Sequence, residues 1–246
     1  MDRMLYIAMS GASETMTAQA VKTNNLANVS TTGFKADLAQ ARSMPVFGPG
    51  LPSRAYAMTE RPGTDFNAGS LVTTGRELDV AVQGDGWLAV IGPDGEEGYT
   101  RAGDLHISPN GLLTTGNGNL VVGDGGPIGI PPAEKVEIGA DGTVSIRPVG
   151  QGANALVQIG RLKLVNPEPG QLEKGESGLF RLKEGGEAPA DANVRVVSGM
   201  IEGSNVNPVA ELVDMINLAR RFETQVKMME TAKENESATA QMLRMA

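Results

Sequence analysis

The residues of this sequence that could do chemistry are mostly carboxylates near predicted turns. Two carboxylates held close together can hydrolyse a glycosidic bond, one as the acid and the other as base or nucleophile. Most of these candidates stand in turn contexts where Asp and Glu are ordinary, so catalysis is the less favoured interpretation. The candidates are Asp79, Asp85, Asp94, Glu96, Glu97 and Asp104.

Other routes to catalysis or ligand binding are narrow. His106 is the only histidine and the chain has no cysteine, which excludes His-pair and Cys-based metal sites and thiolate nucleophiles. The glycine-rich run at residues 123–126 resembles part of a dinucleotide-binding loop, but Ile128 stands where the third glycine is required. We therefore expect no catalytic residues, no cofactor, no metal and no small-molecule substrate.

The composition argues against two further classes of protein. The formal net charge is −8 and no basic run is present, whereas nucleic-acid binding needs a clustered basic face. No apolar run approaches the ~18 residues that indicate a membrane span. The N-terminal residues also lack the basic region and continuous apolar region of a secretory signal. We therefore expect no nucleic-acid partner, no membrane span and no cleaved signal peptide.

Helical spacing marks both ends of the chain. Residues 1–28 and 206–246 carry narrow apolar stripes, which are typical of helix–helix seams; a first helix that packs only on its own domain is the alternative. Asn207 is a plausible N-cap and Pro208 fits the first helical position. No Gly or Pro follows Pro208, which predicts one helix of ~55 Å. The assembly residues predicted on the stripes are Leu5, Ala8, Ala12, Gln19, Leu26, Leu212, Ile216, Ala219, Phe222, Val226 and Met229.

Strands and tight turns are predicted between the helices. In residues 76–190, short apolar runs alternate with turn sequences such as Pro109-Asn110-Gly111, which indicates antiparallel sheets in a barrel or sandwich. Residues 33–75 and 191–205 lack clear periodicity and are predicted to form an extended connector. The predicted fold is α+β. It has a coiled-coil-like domain of paired terminal helices (residues 1–32 and 206–246), the connector, and a β-rich middle domain (residues 76–190).

A specific motif follows the first helix. Residues 25–35 read NLANVSTTGFK, which resembles the N-L-A-N-x-x-T-x-G-[FY]-[KR] signature of the bacterial flagellar rod and hook proteins. Segments 76–87, 99–104 and 199–208 also resemble that family, so the resemblance covers essentially the whole chain. Residues 219–223 read ARRFE where hook and distal-rod proteins usually carry a Q-R-A-[YF]-E type pattern. This departure, with the start MDRMLY, is most similar to the proximal-rod members.

The resemblance implies a structural subunit, not an enzyme. It implies export by the flagellar type III apparatus, assembly in the periplasm within the basal-body rod, and terminal helices that pair and line a central channel. The implied partners are copies of the chain itself, other proximal- and distal-rod proteins, and the export apparatus. The signature residues Asn28, Thr32, Gly33 and Phe34 join the predicted assembly interface.

Two alternatives stay open at this point. One is a distal-rod subunit, and the other is a β-rich module that binds or hydrolyses cell-wall glycan and uses the helices for dimerisation. The stripes also predict how assembly is controlled. Narrow stripes bury too little surface to offset a backbone ordering cost of ~1–2 kcal/mol per residue. We therefore expect the ends to be largely disordered in a free monomer and to order on docking.

Overall fold

A computed structural model describes residues 4–45, 55–150 and 156–245. Residues 1–3 and 246 of the predicted helical domain, 46–54 of the predicted connector and 151–155 of the predicted middle domain lie outside the described residues. The chain divides into two units. The first, which we call the helical unit, comprises Met1–Asn28, Asp37–Asp65 and Val206–Ala246; the second, the β unit, comprises Val29–Ala36 and Phe66–Asn205.

Two helices pack against each other in the helical unit. They are α1 (Met4–Ala27) and α2 (Pro208–Met245). Lys22, near the end of α1, contacts Glu211 near the start of α2, whereas Gly11 lies beside Gln225. The helices therefore run antiparallel, and the predicted pairing of the terminal helices is confirmed.

Local polar side chains define the helix ends. The Asn207 side-chain oxygen accepts hydrogen bonds from the backbone N–H groups of Val209 (3.1 Å) and Ala210 (3.2 Å), which confirms the predicted N-cap. At the end of α1, the Asn28 side-chain amide donates to the Asn24 carbonyl at 3.0 Å. The same carbonyl also accepts the Asn28 backbone N–H at 3.2 Å, so the Asn28 side chain reinforces the last turn of α1.

A long hairpin completes the helical unit. Strands β1 (Asp37–Pro45) and β2 (Ala55–Thr64) pair antiparallel, and both contact α1. The sequence predicted an extended connector over residues 33–75; two stretches of it are paired strands in this unit. Residues 40–45 are all exposed. A strand without a buried face does not need alternating apolar and polar residues, so the pattern that usually marks a strand is absent here.

The β unit is built from short antiparallel strands. Their bounds are β3 Leu71–Thr73, β4 Val80–Gln83, β5 Trp87–Ile91, β6 Glu97–Thr100, β7 Leu105–Ile107, β8 Leu113–Thr115, β9 Leu120–Gly123, β10 Gly126–Pro127, β11 Ala133–Ile138, β12 Thr143–Pro148, β13 Val157–Arg161, β14 Leu164–Val165, β15 Leu172–Lys174, β16 Phe180–Leu182, β17 Arg195–Ser198 and β18 Met200–Glu202, with a 3-10 turn at Pro169–Gln171.

Nine of these strands form the largest sheet, in the order β15-β16-β6-β5-β9-β8-β7, with β10 beside β9 and β14 beside β5. A second sheet has the order β11-β12-β13. The pairs β4–β17 and β3–β18 are separate two-stranded sheets.

Strand β5 is buried on both faces. Leu88 and Val90 belong to one apolar cluster, whereas Trp87 and Ala89 belong to a second cluster that contains Phe180. The ring centroids of Trp87 and Phe180 are 4.7 Å apart. Burial on both faces explains why β5 reads as a continuous apolar run and not as an alternating one.

The predicted hairpin around residues 109–111 is confirmed. Ile107 of β7 pairs with Leu113 of β8, and Gly111 adopts a positive φ of 76° that glycine tolerates without strain. His106 lies in this hairpin, as predicted, and its Nδ1 is 3.2 Å from the Arg76 guanidinium. The antiparallel β-rich middle of the predicted fold is therefore present.

Candidate assembly interface

Small residues allow α1 and α2 to lie close together. Ala8 and Ala12 are buried in the helical unit. A Cβ atom on Gly11 would lie 2.9 Å from the Gln225 amide nitrogen, so any larger residue would displace that side chain. Of the other interface residues predicted on α1, Gln19 and Leu26 are half-buried. The narrow stripe of α1 therefore serves the contact inside the unit.

Lys22 joins the two helices through charge. Its ammonium lies 3.2 Å from a Glu211 carboxylate oxygen and 2.9 Å from an Asp214 carboxylate oxygen. Burial by itself lowers the pKa of Lys22, but its hydrogen bonds to Asp214 and Glu211 outweigh burial and raise that pKa above the usual value. The ion pair therefore stabilises the unit at neutral pH, and the contribution of the Lys22 charge is lost as the pH rises through this raised pKa.

Asn25, the first residue of the signature, fastens α1 to the hairpin. Its side chain is buried; the amide nitrogen donates to the Asp37 carbonyl (2.9 Å) and the amide oxygen accepts from the Asp37 N–H (2.9 Å). An amide side chain offers a donor and an acceptor at once. Asn25 therefore makes, with the Asp37 N–H and carbonyl, the pair of hydrogen bonds that a neighbouring strand would make at the start of β1. The requirement for asparagine at this position follows from that pair of bonds.

We predict that Asn25→Ala destabilises the helical unit. The substitution leaves buried backbone groups of Asp37 without this partner, at a cost of at least about 1–3 kcal/mol. Because the terminal helices are proposed to order fully in the assembled rod, the denaturant concentration that releases the chain from purified basal bodies measures the loss. Asn24→Ala, at an exposed neighbouring position, is the control and should change stability by less than about 0.5 kcal/mol. Equal effects of the two substitutions would contradict the assignment.

The predicted stripe on α2 divides into two parts. Phe222, Val226 and Met229 are half-buried, whereas Leu212, Ile216 and Ala219 are exposed. Exposure of the aliphatic side chains is large at the start of α2: Val209 68%, Leu212 49%, Val213 52% and Ile216 55%. An exposed cluster of large aliphatic side chains is typical of a surface that binds another protein.

A second exposed apolar group lies on α1. Leu5, which was predicted as an interface residue, is 38% exposed, and Tyr6, Met9 and Met16 are exposed by more than half. The last three were not predicted as interface residues, although Met9 and Met16 flank the predicted stripe. They lie at helical spacing from Leu5, but a stripe drawn one residue wide leaves out the side chains beside it.

The signature residues after Asn28 lie in the β unit. Gly33 is buried with φ 67°, and its N–H donates to the Glu202 carbonyl at 2.7 Å. A Cβ atom on Gly33 would lie 2.3 Å from the Ala102 backbone nitrogen, so only glycine fits. Asn28, Thr32 and Phe34 are half-buried. This geometry gives Gly33 a structural role, while its place in an assembly interface stays a prediction.

A buried ion cluster surrounds the last residue of the signature. The Lys35 ammonium lies 2.6 Å from one Glu202 carboxylate oxygen, and the Arg101 guanidinium lies 3.0 Å from the other. All three side chains are buried. The Gly69 N–H also donates to the Glu202 carboxylate at 2.9 Å, and Lys35 donates to the Asn67 carbonyl at 2.8 Å. Sequence reasoning missed Arg101 and Glu202, although both lie in segments that resemble the family.

Aromatic rings extend this cluster. The Arg101 guanidinium lies 5.3 Å from the centre of the Trp87 ring, and the Lys174 ammonium lies 4.0 Å from the centre of the Phe34 ring. Both distances allow a cation–π attraction. The Lys174 ammonium also donates to the Lys35 carbonyl at 2.8 Å. The Gly-Phe-Lys part of the signature is therefore held by one connected network in the β unit.

The carboxylates considered for catalysis mostly take part in ion pairs. Arg181 contacts both Asp94 and Glu96, and its hydrogen bond to Asp94 lowers the pKa of that carboxyl group. Lys163 lies 2.8 Å from Glu97. Among the described residues, three or more potential metal ligands do not come together at any place. Neither α1 nor α2, as far as they are described, has the apolar character of a membrane-spanning helix.

Two more of the candidate carboxylates, Asp79 and Asp104, lie near His106. Asp79 and Asp104 form an isolated backbone bridge, and Arg76 lies 3.4 Å from Asp79. Burial raises the pKa of Asp104. Asp85 is exposed. The six candidate carboxylates thus lie at several separate places in the β unit and do not converge on one cleft.

Three segments of the chain match known protein families. Residues 5–35 match "Flagella basal body rod protein", residues 81–146 match "Flagellar hook protein FlgE/F/G D1 domain", and residues 197–242 match "Flagellar basal body rod FlgEFG protein C-terminal". The flagellar basal-body rod protein FlgF of Salmonella typhimurium is 45% identical over 252 residues, which cover 100% of both chains. The chain belongs to the flagellar basal-body rod family.

Within the rod family the chain is FlgF-like. FlgF of Caulobacter vibrioides is 32% identical over 95% of each chain. FlgG of Bacillus subtilis is 33% identical over 94% of this chain and 96% of its own length, well below the 45% of the Salmonella FlgF. The resemblance carried by the signature is thus confirmed, and all three relatives are named flagellar basal-body rod proteins.

Proposed function

We propose that this rod protein acts without catalysis and assembles through α1 and α2 in the periplasmic, proximal part of the flagellar rod. Its partners there are copies of itself and neighbouring rod proteins, which it joins after export by the flagellar type III apparatus. The observation that carries the proposal is the exposed apolar face at the start of α2, formed by Val209, Leu212, Val213 and Ile216.

The length of α2 supports the need for partners. With 38 residues in α2 and 24 in α1, α2 is longer by about 20 Å at 1.5 Å per residue. Residues 233–244 are all exposed. An isolated helix gains little from such a segment, because most helical stability in proteins comes from packing. Neighbouring subunits supply that packing in the proposed assembly.

Sparse burial supports coupled ordering and assembly. In α1 only Ala8, Ala12 and Asn25 are buried, and in the described part of α2 only Glu211 and Ala232. Such limited burial does not offset a backbone ordering cost of ~1–2 kcal/mol per residue. The terminal helices therefore order fully when neighbouring subunits cover their exposed faces, which restrains polymerisation before export.

Deletion of residues 215–246 tests the proposal against the glycan-hydrolase alternative. The shortened chain is expected to be absent from purified basal bodies and to leave cells that lack their own copy non-motile. Full-length protein incubated with peptidoglycan is expected to release no soluble fragments. Fluorescence of Trp87, the only tryptophan, reports whether the β unit of the shortened chain is folded. Normal incorporation, or peptidoglycan turnover by both chains, would contradict the proposal.

A further inference from the structure

We propose that Asn117 is a site of spontaneous covalent modification, where the chain loses ammonia and acquires isoaspartate. The site lies in the turn between β8 and β9 and does not depend on the proposed assembly. In an Asn-Gly pair the glycine nitrogen attacks the side-chain carbonyl carbon of the asparagine, because glycine has no side chain to hinder the approach. The chain has two such pairs, Asn110-Gly111 and Asn117-Gly118, and the structure distinguishes them.

The reaction at Asn117 releases ammonia and consumes water. The Gly118 backbone nitrogen bonds to Cγ of Asn117, and the side-chain nitrogen leaves as ammonia with the proton of the Gly118 N–H. The product is a cyclic succinimide. Water then opens the ring at one of two bonds. Cleavage between the nitrogen and Cγ gives aspartate, whereas cleavage between the nitrogen and the main-chain carbonyl carbon gives isoaspartate.

The two Asn-Gly pairs occupy matching positions in two hairpin turns. The Gly111 N–H donates to the Ser108 carbonyl and the Gly118 N–H donates to the Thr115 carbonyl, each at 2.8 Å. The two glycines have φ values of 76° and 83°, as in hairpin loops of three residues. Both asparagines are exposed. In either turn the glycine nitrogen must leave its carbonyl acceptor before it attacks, so the rate follows how often the turn opens.

Additional contacts hold the first turn closed. The Ser108 hydroxyl accepts the Leu112 N–H at 3.1 Å, and the Gly111 carbonyl accepts the Ile130 N–H at 2.6 Å. Pro109 is the second residue of this turn, and its ring fixes the backbone angle φ. Opening the first turn therefore breaks hydrogen bonds beyond those of the hairpin itself.

The second turn has fewer restraints. Thr115 stands at the position of Ser108, but its buried hydroxyl has no hydrogen-bond partner among the described residues. A Cβ atom on Gly118 would meet no heavy atom within 4 Å, so the reacting nitrogen lies beside open space. Gly116 stands at the position of Pro109.

The fold requires glycine at position 116. A Cβ atom there would collide with the Asp104 carboxylate, so neither proline nor any other residue fits. Glycine leaves the backbone freer than any other residue. The second turn therefore opens more often than the first, and Asn117 is expected to react before Asn110.

Isoaspartate at position 117 disturbs the pairing of β8 with β9. Its backbone passes through the former side chain, which lengthens the turn by a carbon atom. The Thr115 N–H donates to the Asn119 carbonyl at 2.9 Å across the turn, and a longer loop does not keep this geometry. Leu113 and Val121, on the two strands, belong to the apolar core of the β unit. The modification is therefore expected to lower the stability of this unit.

Ageing of the purified full-length chain in warm, mildly alkaline buffer tests the site. Trypsin releases residues 102–135 as one peptide, so fragmentation mass spectrometry measures both asparagines in the same molecule. Isoaspartyl methyltransferase with a labelled methyl donor identifies the isoaspartate. Asn117 is expected to deamidate at least about tenfold faster than Asn110, as two further hydrogen bonds in the first turn would give.

Two results would overturn the proposal. Equal rates at the two sites of the folded chain, or faster loss at Asn110, would show that the second turn is not the more reactive one. In urea that unfolds the chain, the two rates are expected to converge, because both sites are Asn-Gly pairs. The same difference in urea as in buffer would show that the turns do not cause it.

Ser108→Ala and Thr115→Val are the matched variants. Ser108→Ala removes the hydrogen bond to Leu112 and is expected to raise the rate at Asn110 several-fold. Thr115→Val removes a hydroxyl group that has no partner, and the rate at Asn117 is expected to stay unchanged. An unchanged rate at Asn110 in the Ser108→Ala chain would contradict the protective role of that bond.

Asn117→Gln tests the consequence for stability. The longer glutamine side chain closes the corresponding ring much more slowly, so the urea midpoint of this variant, followed by Trp87 fluorescence, is expected to stay constant during ageing. The midpoint of the unsubstituted chain is expected to fall over the same period. Equal falls in the two chains would show that modification of Asn117 does not weaken the β unit.

Discussion

Ile216→Asp is expected to abolish motility while leaving the β unit folded. Ile216 is 55% exposed in the monomer, so the substitution costs a free chain little. In the proposed assembly the same position is covered, and an unpaired buried carboxylate costs about 3–5 kcal/mol. A loss of that size weakens each contact by more than about a hundredfold. Swimming in soft agar, in a strain that lacks its own copy, measures the effect.

Ile107→Asp is the matched control for that experiment. It makes the same substitution at a side chain of similar exposure, 42%, in the β unit. Motility is expected to stay normal, because the proposal gives Ile107 no part in assembly. Trp87 fluorescence should be unchanged in both variants. Normal swimming of Ile216→Asp cells would show that this face of α2 is not an assembly surface.

Glu202→Leu is expected to destabilise the β unit by about 3–5 kcal/mol. Glu202 is the shared partner of Lys35 and Arg101, and all three are buried. The substitution removes the carboxylate that both buried cations contact. The Gly69 N–H also loses its acceptor. Urea unfolding followed by Trp87 fluorescence measures the change, since Trp87 lies against Arg101.

Glu134→Leu is the control for Glu202→Leu. Glu134 pairs with Arg147 at 3.3 Å near the surface, where an ion pair contributes about 0–1 kcal/mol. A second check combines Glu202→Leu with Lys35→Met, which removes one of the two cations that lose the Glu202 carboxylate and should recover part of the lost stability. Similar losses for Glu202→Leu and Glu134→Leu would contradict a special role for the buried cluster.

The terminal helices could be predicted because their signals are local. Asn207 and Pro208 mark the start of α2 within two residues, and helical spacing marks its apolar stripe. The hairpins of the β unit with tight turns were predictable for the same reason, as at Gly111. In each case, the residues that determine the structure are neighbours in sequence.

Pairings between distant segments could not be predicted. Strand β4 pairs with β17, and β3 pairs with β18, although long stretches of chain separate the partners. The hairpin of β1 and β2 was missed for a different reason. Its residues 40–45 are exposed, so no periodic burial marks the strand in the sequence.

The candidate interface shows the same limit. Helical spacing placed Leu212, Ile216, Phe222 and Val226 on one stripe, but it could not say which of them α1 would cover. The structure leaves Leu212 and Ile216 exposed and half-buries Phe222 and Val226. Likewise, the Lys35 ion cluster depends on side chains from three distant segments, whose meeting only the tertiary fold determines.

The central claim is that the exposed apolar face of α2, and not the β unit, carries assembly of the rod. Its most direct test is the amount of Ile216→Asp and Ile107→Asp chain in purified basal bodies, each relative to the unsubstituted chain. The predicted result is a normal amount of Ile107→Asp and less than about a tenth of the normal amount of Ile216→Asp, as expected for a contact weakened more than tenfold. Equal amounts of the two variants, or loss of Ile107→Asp alone, would contradict the claim.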